Sequence, residues 1–268
     1  MKTQNNYAVI TGATSGIGYE LAKLFAEDGY NLVIVGRRED TLNTTAAQLR
    51  SYGIDVKIIV KDLFDPQNAT DVYEQVRQSG IEVGVLVNDA GQGLYGEFTE
   101  TDINRELAII NLNIASLVIL TKHFLKDMVT RGEGKILNLS SIASKAPGPY
   151  QSVYHGTKAF VQSFTEAINN EVRETGVTIT ALLPGATDTD FFNKANMNEA
   201  KIVQEGKLDD AAKVAKDGYE ALMKGDDMVV SGFKNKVNVA MSNVLPDSVA
   251  ANNMRKQQEP VNNDSSKQ

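Results

Sequence analysis

The chain has no cysteine and only two histidines among its 268 residues. Without cysteine there is no disulfide framework, no thiolate metal site and no thiol nucleophile. His123 and His155 alone cannot build a histidine-rich metal centre, so no metal is expected. Positive charge is also scarce: 27 lysines and arginines stand against 34 aspartates and glutamates, a formal net charge of −7. No basic stretch is longer than a pair such as Arg37-Arg38. Nucleic acid and anionic membranes are bound through clustered positive charge, so neither is an expected partner. No uninterrupted apolar run approaches the roughly 20 residues that span a bilayer. The first apolar strand begins at about Tyr7, which leaves no room for a signal peptide ahead of it. Cytoplasmic residence is the resulting expectation.

What is present is an ordinary globular balance, 42% hydrophobic and 23% charged. Short runs rich in Val, Ile and Leu are predicted as strands at Tyr7–Thr11, Asn31–Gly36, Val56–Lys61, Val83–Val87, Lys135–Ser140, Val177–Leu183 and Met228–Ser231. They show little polar alternation, as parallel strands buried on both faces do. Helical spacings lie between them, for example Ile17, Leu21, Leu24, Phe25 and then Ile114, Leu117, Val118, Leu125, Met128. Such alternation predicts a single α/β domain built on a doubly wound parallel sheet with helices on both faces. There is no internal repeat and no Pro/Gly/Ser-rich linker. The domain is expected over residues 1–251, with residues 190–212 as an insertion that covers the substrate. A polar tail over 252–268 is expected to fray from about Asn252.

Thr11-Gly12-Ala13-Thr14-Ser15-Gly16-Ile17-Gly18 ends the first strand and opens the first helix. Glycine permits the sharp turn and close approach to a ligand, and a helix N-terminus offers free N–H groups to a diphosphate. The spacing is neither the Gly-x-Gly-x-x-Gly of the standard dinucleotide fingerprint nor a P-loop. Arg37 and Arg38 end the second strand, where an NAD site places an acid. Guanidinium groups pair with phosphate, which points to a ribose 2′-phosphate and so to NADP(H); two solvated arginines at a helix start are the alternative. Further along, Tyr154 and Lys158 sit one helical turn apart on one face. A fixed ammonium beside a phenol favours the phenolate and lowers a pKa that is about 10 in a free tyrosine.

With these motifs in place, the chain resembles a short-chain dehydrogenase/reductase of the single-domain type from about Tyr7 to Pro246. Thr11–Gly18 is similar to that family's cofactor turn, and Asn88-Asp89-Ala90-Gly91 resembles its Asn-Asn-Ala-Gly, with Asp89 a departure. Asn113 stands where the family has its catalytic asparagine, and Ser141 lies thirteen residues before Tyr154, the family's usual interval. Pro184-Gly185-Ala186-Thr187-Asp188-Thr189 resembles the stretch beside the nicotinamide. The closing part, from Leu222-Met223-Lys224-Gly225 through Gly232–Lys236 to Leu245-Pro246, is similar to a bacterial subgroup of short-chain oxidoreductases.

The resemblance implies a single-domain Rossmann-type, doubly wound, seven-stranded parallel sheet with the active site at the carboxyl ends of the strands, and a hydride transfer between nicotinamide and a small carbonyl or secondary alcohol. The catalytic set would be Asn113, Ser141, Tyr154 and Lys158. Tyr154 would pass the proton, Ser141 would hydrogen-bond the substrate oxygen, Lys158 would tune the phenol and hold the ribose, and Asn113 would hold a water that feeds Lys158. Cofactor contacts are implied from Gly12, Thr14, Ser15, Gly16, Ile17, Gly18, Arg37, Arg38, Asp62, Leu63, Asn88, Ala90 and Gly91. Tyr154, Lys158, Pro184, Gly185, Thr187 and Thr189 complete that set, the two threonines anchoring the carboxamide or the diphosphate. Asp62 also reads as a plain loop acid before Asp65-Pro66, Asn111 as helix packing or capping, and Ser140 as a strand-end hydroxyl. Phe191-Phe192 would cover an apolar substrate or pack on the sheet. His155, about 100° around the helix from Tyr154, is not expected in the chemistry. The resemblance implies a homodimer or homotetramer joined through the helices bearing Asn113 and Tyr154, though Leu117 and Phe164 would serve equally well facing their own sheet. Two other classes compete. A non-catalytic NADP-binding regulatory protein would share this fold, and an extended sugar-nucleotide epimerase or dehydratase would need more chain after Pro184.

Overall fold

In a computed structural model, described over residues 6–242 and 246–261, seven parallel strands form one sheet in the order β3-β2-β1-β4-β5-β6-β7. They are β1 (Tyr7–Thr11), β2 (Asn31–Gly36), β3 (Val56–Val60), β4 (Val83–Asn88), β5 (Gly134–Leu139), β6 (Val177–Leu183) and β7 (Met228–Val230). Each expected strand is found, displaced at its ends by one residue at most. Leu245 of the closing motif lies outside the described residues.

Side chains of successive strand residues leave opposite faces of the sheet, and the core divides accordingly. Ala8, Ile10, Leu32, Ile34, Val85 and Val87 face one way. They pack under α1 (Gly16–Glu27), α2 (Glu39–Arg50) and, much later in the chain, α9 (Ala211–Lys224). Val9, Val33, Val35 and Leu86 face the other way, under α3 (Gln67–Gln78) and α5 (Leu117–Arg131).

The remaining helices are α4 (Ile103–Ile110), α6 (Ser152–Val172), α7 (Phe191–Lys194), α8 (Lys201–Gln204), α10 (Phe233–Ser242) and α11 (Asp247–Gln258). A π-helical segment, Asn111–Ser116, joins α4 to α5, so Ile103–Arg131 is one continuous helix. By length and composition it is apolar enough to cross a membrane, a point the sequence reading missed because polar residues such as Asn111 and Asn113 interrupt its apolar runs. Here α5 packs on β4, β5 and α3, and α4 and the π segment pack on α6. Leu117 is buried within this single chain but belongs to neither sheet core, whereas Phe160 is exposed and stacks on Phe164.

The chain leaves β1 towards β2 and β3, then crosses back to β4 on the other side of β1. This reversal opens a crevice at the carboxyl ends of β1 and β4, the usual ligand position in an open α/β sheet. Two segments overhang it. The insertion after β6 carries its own apolar cluster of Phe192, Ala195, Met197 and Ala200, against which Tyr95 and Ile202 pack. The tail expected to fray from Asn252 is instead helical through Gln258. Just past it, Lys201 N–H at the start of α8 donates to the Glu259 carbonyl (3.1 Å) and Val261 N–H to the Glu199 carbonyl (2.9 Å), while residues 262–268 of that tail lie outside the described residues. Composition alone marked that tail as solvated; its few anchoring contacts are long-range.

Candidate active site

A cleft of about 400 Å³ runs from the glycine-rich turn to the overhang. At its first end Gly12 and Gly16 have φ of +76° and +55°, a left-handed region that glycine enters without penalty. A side chain at Gly12 would meet the Asp89 carboxylate at 2.5 Å. Ser15 caps α1 without a side-chain hydrogen bond, so the first N–H groups of that helix stay available at the cleft wall, where Ser15, Gly16 and Ile17 lie. Unspent helix donors in a backbone cradle fit a dinucleotide diphosphate. Arg37 and Arg38 border the same cleft. The Arg37 guanidinium lies over the Phe64 ring, 5.0 Å from its centroid, and 3.9 Å from Asp62.

At the other end β5 delivers Ser141 and α6 delivers Tyr154 and Lys158, all on the cleft wall. The Ser141 hydroxyl sits close enough to the Tyr154 phenol to lower its pKa; it also donates to the Pro184 carbonyl (3.4 Å) and accepts from Ala143 N–H (3.1 Å). Lys158 Nζ donates to the Leu139 carbonyl (2.7 Å) and lies 5.8 Å from the Tyr154 ring centroid. Ser140 donates to the Lys158 carbonyl (2.8 Å), which fixes α6 against β5. Asn113, set in the π-helical segment, stands behind the wall. It accepts from Gln92 N–H (3.0 Å) and donates to Gln92 O (2.9 Å) and to Thr157 (3.0 Å). π-helical segments recur at functional sites. A Cβ at Gly91 would lie 3.4 Å from Asn113 Oδ1 and 3.5 Å from Lys158 Nζ, so the glycine leaves a gap between the two.

Three expectations change. Asn88 does not reach the cleft: it is buried and donates to Thr121 (3.0 Å) and Asn138 (2.9 Å), tying β4 to its neighbours. Gly18 is also off the wall, packed against Gly12 and Asp89. The third concerns the phenol. Burial pushes Tyr154 up to about 12, and the Ser141 hydrogen bond pulls only partly the other way. Lys158 is itself lowered to about 8 by burial, opposed by Asp89. Desolvation therefore outweighs the expected lysine effect in the protein's own field.

The remaining predicted contacts, Thr14, Leu63, Asp62, Ala90, Pro184, Gly185, Thr187 and Thr189, border the cleft. Thr187 donates to the Gly185 carbonyl (3.0 Å), and Thr189 accepts from Phe191 N–H (3.3 Å).

Asp89 occupies the position where asparagine was expected. Its carboxylate accepts from Gly18 N–H and faces Lys158; burial pushes it up to about 7, against the pull of Lys158, Gly18 and Lys194. The folded chain thus keeps this proton to about pH 7, while the unfolded chain releases it near 3.8. The stability it contributes is fully present below pH 3.8 and is lost as pH rises to 7. Asp89→Asn should therefore gain thermal stability relative to the parent as pH is raised from 4 to 7. Melting curves across that range check this, and a constant difference in Tm would show that Asp89 titrates normally.

The short chain dehydrogenase family matches residues 6–200 of this sequence. The chain belongs to that family. An uncharacterised oxidoreductase of Staphylococcus epidermidis is 30% identical over 214 residues, 80% of this chain and 92% of the relative. Sulfoacetaldehyde reductase 2 of Chromohalobacter salexigens is 35% identical over 189 residues, 70% of this chain and 75% of the relative. Among solved structures, a short-chain dehydrogenase from Sphingobium yanoikuyae in complex with NADPH superposes with a TM-score of 0.80 at 27% identity, covering 89% of this chain and 94% of that one. This short-chain dehydrogenase is thus a pyridine-nucleotide-linked oxidoreductase that acts on small molecules.

Several wall residues escaped the sequence reading: Gln92, Gln151, Met197, Met254 and Gln258. Gln151 could have been found, since it sits one turn before His155 at the start of α6. Met254 and Gln258 reach the site only because the tail folds back, and nothing local signals that.

Proposed function

We propose that this short-chain dehydrogenase reduces a ketone or aldehyde with NADPH, with Tyr154 as the proton donor. The joint placement of Ser141, Tyr154 and Lys158 at one end of a cleft that begins at an open helix N-terminus carries this reading. The N–H groups of the first helix would hold the diphosphate, Arg37 and Arg38 the 2′-phosphate, and Lys158 the nicotinamide ribose. When bound, the cofactor supplies the hydride. Ser141 donates to the substrate oxygen as negative charge develops there, and Tyr154 gives that oxygen its proton. A phenol held near 12 stays protonated through the neutral range, which suits the acid of a reduction better than the base of an oxidation. Asn113 and the gap at Gly91 support a route by which a water could return a proton towards Lys158. The insertion and the C-terminal helix would cover the substrate. That one relative is named a reductase and one structural neighbour holds NADPH supports the same reading.

The test is turnover of NADPH, followed by its fluorescence, against ketones and aldehydes of graded size. Saturable consumption that stops when the carbonyl compound is left out is expected. Tight NADPH binding with no turnover on any carbonyl would instead favour a non-catalytic, cofactor-sensing protein.

A further inference from the structure

The C-terminal helix α11 is polar, and of its residues Ala250 and Gln258 alone are buried. Gln258 is 3% exposed and borders the same cleft as Tyr154. Tyr95 Oη holds its backbone carbonyl at 2.5 Å. Its side chain meets His155, with Gln258 Nε2 3.0 Å from His155 Nε2. His155 Nδ1 lies 2.8 Å from the Ala146 carbonyl. A carbonyl only accepts, so Nδ1 carries the ring proton. Burial lowers the pKa of this imidazole, so the ring is neutral and Nε2 offers a lone pair. The Gln258 amide must then donate to His155 through Nε2. Its orientation is fixed, and its buried Oε1 is left with no partner among the described residues.

A complementary group lies one turn away. Gln151 precedes His155 by four residues and is the N-cap residue of α6, its carbonyl accepting from His155 N–H (3.0 Å). It is 4% exposed, borders the cleft, and its Nε2 has no partner among the described residues. A Cβ at Gly93 would lie 3.0 Å from that Nε2, 3.4 Å from the Tyr154 ring and 2.9 Å from Phe191, which places the amide beside the phenol. A buried polar atom without a hydrogen bond is costly, and native proteins rarely leave one so. Two such atoms, an acceptor and a donor, belong to side chains that border one cleft beside Tyr154.

We infer that the substrate carries a neutral hydroxyl beyond its carbonyl, donating to Gln258 Oε1 and accepting from Gln151 Nε2. This rests on the carbonyl-reductase reading above. The favoured class is a hydroxyketone or hydroxyaldehyde. A carboxylate is disfavoured, because it cannot donate and the His155 contact prevents the Gln258 amide from turning its N–H groups to it. The walls around the pair, with Phe191, Phe192, Met197 and Met254, suit the apolar remainder of such a molecule.

The experiment compares kcat/KM with NADPH for three matched ketone series: hydroxyl-terminated chains of graded length, the same chains ending in methyl, and the same ending in carboxylate. One hydroxyl-terminated length should exceed its methyl analogue by roughly tenfold to a hundredfold, because a site built around a hydroxyl rejects the analogue that lacks it. Gln258→Met should shrink that ratio towards one, and Gln151→Leu should shrink it independently from the other side. Loss of fold would reduce both activities together and leave the ratio intact. Equal efficiency across the hydroxyl and methyl series, or a carboxylate preference, overturns the inference and would mean that solvent satisfies the two amides. No turnover in any series removes the carbonyl-reductase reading and this inference with it, whereas turnover without preference removes this inference alone.

Discussion

Tyr154→Phe should cut carbonyl turnover by about 10²–10⁴, the usual worth of a positioned acid, while NADPH still binds. The phenol oxygen is the only part removed, and the ring still packs against Phe191, 5.1 Å between centroids. Lys158→Ala should damage both turnover and binding. Its Nζ anchors to the Leu139 carbonyl and faces Asp89. Removing it leaves that carbonyl unpaired and moves Asp89 further towards its neutral form. Melting temperature separates loss of fold from loss of function. The reduction rate of the parent should hold up through the neutral range, because Tyr154 keeps its proton there. Oxidation should be slow at neutral pH and climb as pH rises, a limb that belongs to the coupled Tyr154, Lys158 and Asp89 groups. The measurements are single-turnover rates in both directions and cofactor titration on purified variants. Near-normal turnover by Tyr154→Phe would falsify the acid role.

The sheet was legible because parallel strands buried on both faces must be apolar throughout, and Val9, Val33 and Leu86 show that pattern without needing tertiary information. The turn at Gly12 and the Tyr154–Lys158 pair were legible because local backbone and helical period alone dictate them. Less legible was anything set by the balance of burial against charge. Four residues of spacing bring Lys158 near Tyr154, but spacing does not report how strongly the site desolvates both groups, and desolvation decided the direction of the phenol shift. Asn88 shows a related limit. A motif names a position, yet the side chain turned into the sheet towards Thr121 and Asn138. The C-terminal helix lay beyond reach for a different reason. Its polar sequence satisfies every local criterion for a solvated tail, and its burial rests on Gln258 meeting His155 about a hundred residues earlier in the chain.

NADPH should bind more tightly than NADH by roughly tenfold to a hundredfold, and Arg37→Ala should remove most of that difference. A charge-assisted hydrogen bond to phosphate contributes about 1.5–3 kcal/mol, and each 1.4 kcal/mol is about a factor of ten in affinity. Arg37 is half-exposed at the end of β2, steadied by the Phe64 ring, and its contact with Asp62 is long at 3.9 Å. So loose and hydrated an ion pair is worth little, and the guanidinium can turn to a phosphate at small cost. Asp62 sits close enough to repel that phosphate, which makes Arg37 the residue that decides the balance. Arg38 occupies the N-cap position of α2 without a side-chain hydrogen bond there and lies within the electrostatic reach of Asp190, so Arg38→Ala should weaken NADPH by less. NADH, with a neutral 2′-hydroxyl, should bind either variant almost as it binds the parent. Added salt should narrow the NADPH preference, because the contact is exposed and screened. Fluorescence titration of both nucleotides at two salt concentrations measures each term. Equal affinities in the parent, or an Arg37→Ala variant that keeps the full preference, would remove the arginine account of cofactor choice.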